Sequence, residues 1–361
     1  MIDSDRLLST LLELVRIDSP SREEAEIGEH LVARFEGLGL RAERDEIGNV
    51  LARMDGQGEP ILLAAHMDNV MPCRGVKPVV EDGIVRSDGT TILGGDDKAG
   101  VAIIIEVVRT LLERKSPHRP LEIVITVQEE IGLFGAKALD MGALRSKMGI
   151  SLDAGGGPGS VIVSAPSQDS MAAVVLGKAS HAGAQPEDGI SAIVIAAEAI
   201  SHMHLGRIDE ETTANIGTIS GGTATNIIPD RVEMEGEARS RSEEKLAAQT
   251  TSMVEALREA ASRHGGSVEI DVDRTYDGYV LTEDDAIVRL IAGAMRSRDM
   301  EPALTATGGG SDANIFNAGG VQVVNIGIGM TQVHTTDEHI AIADVIAAAE
   351  VVLGCVALSD E

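Results

Sequence analysis

Residues able to hold metal or move protons recur in this chain at the ends of apolar runs. The run 61–65 leads directly into His66-Met67-Asp68, 121–127 into Gln128-Glu129-Glu130, and 149–152 into Asp153. A glycine pair, Gly94-Gly95, precedes the adjacent carboxylates Asp96 and Asp97, and Val333-His334-Thr335 follows a further apolar run, 321–328. His66, Asp96, Glu130, Asp153 and His334 make a mixed imidazole and carboxylate set of the kind that suits zinc, with cobalt or manganese as alternatives. Asp68 stands two residues beyond His66, where it can take the imidazole N–H and set the tautomer. A carboxylate has two oxygens and can bridge two ions. Asp96 is the candidate bridge, although spacing alone does not separate it from Asp97. Two ions about 3.5–4 Å apart polarise a carbonyl and make hydroxide available near neutral pH. Glu129, beside the ligand Glu130, is then free to serve as general base.

Each of these residues has an ordinary reading when taken alone. Asp96 can cap a helix. Glu129 and Glu130 can be the acidic start of a helix. Asp153 before Gly155-Gly156-Gly157 can open a turn, and His66 and His334 can be histidines without a ligand. The order of the set, and its placement at three strand ends, favours the joint reading. In open α/β sheets that edge is where sites are built.

The elements that must position these residues follow from periodicity and punctuation. A first helix with Ser4 or Asp5 as cap has apolar Leu7, Leu8, Leu11, Leu12 and Val15. Ser21-Arg22-Glu23-Glu24 reads as a capping box for a second helix ending near Gly37. Strands are expected at 49–54, 61–65, 121–127, 149–152, 304–307 and 321–328, and helices from 96 to about 114, over 284–298 and over 343–358. The apolar character of the inner strands fits a sheet covered on both faces. From residue 167 the order changes to β-α-β-β-α-β, a split ferredoxin-like unit, with alternation of Val232, Met234, Gly236 and Ala238. The expected organisation is a discontinuous α/β domain, 1–166 and 277–361, interrupted by an inserted α+β domain, 167–276.

The chain's 361 residues suffice for two domains. Apolar residues make up 43% and aromatics only 1%, so the core is built from Val, Ile, Leu, Ala and Met. A net charge of -28 argues against nucleic acid or an anionic membrane as partner. Two cysteines, Cys73 and Cys355, give no disulfide framework and fit a reducing compartment. No signal peptide and no membrane-spanning run is read, so the expected location is the cytoplasm.

His66-Met67-Asp68, Gly95-Asp96-Asp97-Lys98, Glu129-Glu130-Ile131-Gly132, Asp153 and Val333-His334 together resemble the successive metal motifs of the dinuclear M20 metallopeptidases. The run from Asp88-Gly89-Thr90-Thr91 to Asp96-Asp97-Lys98-Ala99-Gly100 resembles the peptidase T branch. This resemblance covers nearly the whole chain. It implies a zinc-exopeptidase-like mixed sheet flanked by helices, with the insert as lid and dimerisation domain. It also implies Asp96 as the bridge, His66 and Asp153 on one ion, Glu130 and His334 on the other, and Asp68 and Glu129 as the two catalytic acids. Ser180-His181-Ala182-Gly183 resembles the family's lid segment, whose histidine reaches the partner subunit's site. Asn226-Ile227-Ile228-Pro229-Asp230 and Arg239 resemble its substrate-contacting residues, and a guanidinium suits a substrate carboxylate. The implied activity is metal-dependent hydrolysis of amide bonds in short peptides, with release of the N-terminal residue from tripeptides. A carboxypeptidase or an N-acyl amino acid deacylase would use the same scaffold. A metal-binding dimer without catalysis is a third reading, and an unligated Glu129 argues against it.

Overall fold

The computed structural model describes residues 1–358, and within it the chain falls into two compact units. The larger is formed by Met1–Val163, Val280–Ala306 and the segment from Ser311 onward; the smaller by Ser164–Tyr279 with Thr307–Gly310.

The larger unit is built on a mixed sheet. Its centre is four parallel strands in the order Leu121–Thr126, Ile61–His66, Met148–Gly155 and Gln322–Thr331. Both Leu121–Thr126 and Ile61–His66 are buried at every position, as parallel strands covered on two faces must be. Val50–Met54 and then Arg41–Arg44 extend one side antiparallel. On the other side His339–Ala341, Ile84–Arg86 and Val79–Glu81 follow, also antiparallel. The helix Gly95–Arg114 packs on the strands Ile61–His66 and Met148–Gly155 and beneath the helices Ser4–Leu14 and Ile342–Val356. Every residue from Gly95 to Val108 is buried, Lys98 and Glu106 included, and only the last turn, with Glu113 and Arg114, is exposed. Among the described residues no helix is long and apolar enough to cross a membrane.

Two helix starts differ from the sequence reading. Asp3, rather than Ser4 or Asp5, caps the first helix, its carboxylate accepting Arg6 N–H at 3.1 Å. The second helix runs Ala25–Gly37, and Ser21 makes no capping box with Glu24. The Ser21 hydroxyl instead donates to Asp68 Oδ2 at 2.6 Å. A hydrogen bond to a buried carboxylate is stronger than one to a helix-end amide, so the tertiary partner wins.

The smaller unit is a five-stranded antiparallel sheet in the order Gly206–Arg207, Thr212–Gly221, Arg231–Ser240, Ser167–Leu176, Ser267–Tyr276. The helices Ala192–His202 and Glu243–His264 pack on this sheet. The four long strands therefore stand second, third, first, fourth, which is the arrangement of a split βαβ sandwich. Along Arg231–Ser240 every second residue is buried. Val232, Met234 and Ala238 join Met171, Val175, Ile195, Leu246, Met253 and Leu257 in a core of its own.

Candidate metal centre

All four central parallel strands place a ligand-type residue near their carboxyl ends, Asp153 within its strand and the others at or just past the end. His66 is the last residue of its strand. Its Nδ1 lies 3.1 Å from the Asp68 carbonyl oxygen and 3.5 Å from Asp68 Oδ1. Both neighbours are acceptors, so in the neutral ring the proton sits on Nδ1 and the Nε2 lone pair is left facing the site. That Nε2 is 3.1 Å from Asp96 Oδ1 and 3.7 Å from Asp153 Oδ1.

Asp96 and Asp97 occupy the first turn of the helix Gly95–Arg114, and neither has helical dihedrals. Asp96 divides its carboxylate: Oδ1 toward His66, Oδ2 toward His334 Nε2 at 3.3 Å. Asp97 accepts the backbone N–H groups of His66 at 3.1 Å and of Gly100 at 3.2 Å. A Cβ on Gly100 would stand 2.4 Å from Asp97 Oδ1 and 2.8 Å from the Leu152 carbonyl oxygen, so only glycine admits this approach. The backbone here is held from a distance. Glu338 accepts Gly94 N–H at 2.8 Å and Asp96 N–H at 3.0 Å, and the Asn69 side chain donates to the Asp96 carbonyl.

Glu129 and Glu130 lie on the turn after Leu121–Thr126. Asp68 Oδ1 accepts Glu129 N–H at 2.9 Å, and Oδ2 accepts Glu130 N–H at 3.3 Å. The Glu130 carboxylate meets His334 Nε2 at 3.0 and 3.1 Å. His334, on the loop after Gln322–Thr331, has a half-exposed side chain, the open side of the cluster. Asp153 is clamped through its backbone: Asn325 accepts its N–H at 2.9 Å and donates to its carbonyl oxygen at 3.1 Å. Asp312, at the start of the helix Asp312–Ala318, takes the Thr126 hydroxyl on Oδ2 and keeps a buried Oδ1 with no hydrogen-bond partner.

The electrostatics are those of crowded acid. Burial pushes Asp153 up to about 7, Asp312 to about 6, and Glu129 and Asp97 well above the usual carboxylate range, with neighbouring carboxylates adding to the last two. Burial opposes the ionised form of Asp96, but His334 and His66 outweigh it and hold the group low. Burial likewise opposes protonation of His66, yet Asp153, Asp68 and Asp96 raise it well above its ordinary value. His334 is raised to about 10 by Asp96 and Glu130. More carboxylates than cations converge here, with imidazole lone pairs among them, and that donor chemistry fits divalent cations. Two groups of donor atoms each lie within 4.8 Å of one another: His66, Asp97 and Asp153, and His66, Asp96 and Glu130.

The structure thus brings His66, Asp68, Asp96, Glu129, Glu130, Asp153 and His334 to one sheet edge. His181, Asn226 and Arg239 belong to the smaller unit. His181 and Asn226 are exposed there. The His181 ring accepts Gly183 and Ala184 N–H at 3.2 and 3.1 Å, and the Asn226 carbonyl accepts Ala182 N–H at 2.9 Å. Arg239 forks onto Glu237, two residues away, with both contacts at 2.9 Å. Sequence reasoning missed Asn69, Asn325 and Glu338, whose partners are far along the chain and which no local pattern marks, and it gave Ser21 a capping role in place of its contact with Asp68. Asp312 had a signal, the glycine run Gly308-Gly309-Gly310 before it.

Imidazoles and buried acids gathered at the carboxyl edge of a parallel-centred sheet make a site suited to divalent metal ions. The chain belongs to the peptidase family M20/M25/M40, whose family model matches residues 62–357, and it is a metal-dependent peptidase. It is 44% identical over 366 residues to the uncharacterized protein YqjE of Bacillus subtilis, covering 99% of each chain. Two solved structures are similar throughout. The aminopeptidase PepT of Bacillus cereus is 42% identical with a TM-score of 0.89, covering 98% of both chains. A tripeptidase of Staphylococcus aureus is 40% identical with a TM-score of 0.93, covering 99% of this chain and 98% of that one.

Proposed function

We propose that this peptidase releases the N-terminal residue from tripeptides. The tripeptide reading is supported by the likeness to the Bacillus cereus aminopeptidase and the Staphylococcus aureus tripeptidase, and its metal chemistry by the divided carboxylate of Asp96, one oxygen 3.1 Å from His66 and the other 3.3 Å from His334. Asp96 with His66 and Asp153 would hold one divalent ion, and Asp96 with Glu130 and His334 would hold a second. Zinc suits the donor set best, with cobalt or manganese as substitutes. When bound, the ions would polarise the scissile carbonyl and lower the pKa of water.

The remaining work falls to side chains. Glu129 is the general base. Burial holds its pKa well above that of a free carboxylate, so it can take a proton from the attacking water and return it to the leaving amine. Asp68 keeps the proton of neutral His66 on Nδ1 and holds the backbone of Glu129 and Glu130. His181 donates to the developing oxyanion, acting in the site of the partner subunit of a homodimer formed through the smaller unit. Asn226 and Arg239 contact the substrate; the Arg239 fork exchanges Glu237 for a peptide carboxylate. Both cysteines are free and buried, which agrees with a reducing compartment, the cytoplasm.

The deciding experiment compares a tripeptide with its N-acetylated form. Turnover of the free peptide alone is expected, with the first residue as product. Preferred cleavage of the acetylated form, or release from the carboxyl end, would replace the aminopeptidase reading by a deacylase or carboxypeptidase.

A further inference from the structure

The segment before the second helix has no role in the chemistry above, yet it touches two of the site-bearing strand ends. Ser19 Oγ donates to the Met67 carbonyl oxygen at 2.7 Å, and the Ser19 carbonyl accepts Asn69 N–H at 2.9 Å. Ser21 Oγ donates to Asp68 Oδ2 at 2.6 Å. Glu24, 5% exposed, turns Oε1 to two backbone N–H groups, Arg22 at 2.9 Å and Gln128 at 3.1 Å. Arg22 and Gln128 are both non-glycine residues in the left-handed region, at φ 77 and 53. Such residues persist only where their surroundings hold them. One carboxylate oxygen holds both.

Gln128 immediately precedes Glu129. The N–H groups of residues 128, 129 and 130 are taken in succession by Glu24, Asp68 and Asp68. Asp68 is in turn held by Ser21. Without Glu24, the Gln128 N–H would be left unpaired in a partly buried turn and its left-handed backbone would lose support. Rotation there swings the next side chain, and a displacement of about 1 Å can cost a hundredfold in rate.

We propose that Ser21 and Glu24 are positioning residues that aim the Glu129 carboxylate, Glu24 through the Gln128 backbone and Ser21 through Asp68. The proposal rests on the reading of Glu129 as general base. A loop anchor with no such role would change stability without a selective change in kcat.

The test uses full-length zinc-loaded enzyme, a tripeptide, bound metal measured by mass spectrometry, and the melting temperature. Glu24→Ala is expected to lower kcat about 10- to 100-fold, the usual effect of losing an outer hydrogen-bond partner, with KM and bound metal unchanged. Glu24→Gln keeps an acceptor oxygen and is expected to recover most of the loss. In a Glu129→Ala background, Glu24→Ala should have no further effect on residual turnover. The same fold-loss in both backgrounds, or no rescue by glutamine, overturns the proposal. If Glu24→Ala fails to fold, Ser21→Ala decides: a lowered kcat at unchanged KM supports the proposal, and a wild-type kcat overturns it. Inactive Glu129→Ala beside fully active Glu24→Ala refutes the positioning role alone. Fully active Glu129→Ala would remove the base assignment and this proposal together.

Discussion

The two units hold their candidate residues by opposite means. In the larger unit the partners are remote in sequence: Glu338 holds Asp96 across 242 residues and Asn325 holds Asp153 across 172. In the smaller unit Arg239 leans on Glu237 two residues away, and the His181 ring on Gly183 and Ala184. The difference follows from topology. Neighbouring parallel strands are separated by long crossovers, so their carboxyl ends gather residues from distant segments. The smaller sheet also makes remote polar contacts, Arg274 and Thr250 both reaching Asp169, but His181 and Arg239 themselves are met by neighbours in their own loop or strand. The larger unit therefore holds its donors through contacts drawn from distant parts of the chain, whereas His181 and Arg239 rest on residues two or three positions away.

The largest effect that would sharpen this contrast comes from chelation. Removing metal is expected to abolish turnover, with zinc, cobalt or manganese restoring it and two ions bound per chain. It should also lower the melting transition of the larger unit, since a ligand at 100 to 1,000 times its Kd contributes about 3–4 kcal/mol to the native state. Calorimetry with and without chelator reads both units. An equal downward shift of the smaller unit's transition would break the comparison, and full activity without metal would end the metallopeptidase reading.

Next in size is the separation of Glu129 from Glu130. Glu129→Ala should lower kcat by about a hundredfold or more, the scale of a general base, with metal content nearly intact. Glu130→Ala should lose metal, because its carboxylate faces His334. Equal metal loss in both variants would show the two roles to be misassigned.

A mixing experiment probes the smaller unit. Glu129→Ala and His181→Ala are each expected to be inactive, and equal amounts after subunit exchange should regain activity. Half of the randomly reassembled dimers are mixed, and each has one intact site, so about a quarter of all sites become wild type. Background activity after verified exchange would restrict His181 to its own chain. The smallest effect is expected at Arg239. Arg239→Lys keeps the charge and loses the fork; KM for a tripeptide should rise about tenfold, the scale of a charge-assisted hydrogen bond, with the melting temperature unchanged. A fall in kcat at constant KM would point to a role beyond binding.

Much of this architecture was legible in the chain itself. Apolar runs without alternation marked the parallel strands, strict alternation marked Arg231–Ser240, and the order β-α-β-β-α-β described the smaller sheet. Those features are local, because burial on two faces or on one imposes its own period. His66, the Glu129-Glu130 pair and Asp153 stood out for the same reason, each directly after such a run. What the sequence could not separate was Asp96 from Asp97. They are adjacent and chemically identical, and only the backbone turn at the helix start sends one carboxylate between two imidazoles and the other back onto main-chain N–H groups. Ser21 and Glu24 read as a capping box, because the local pattern satisfied that rule completely. The tertiary fold overruled it by offering Asp68 and the Gln128 N–H, 47 and 104 residues away. Local periodicity is imposed by burial and can be read along the chain; the choice among polar partners is made by whichever distant group packing brings within about 3 Å.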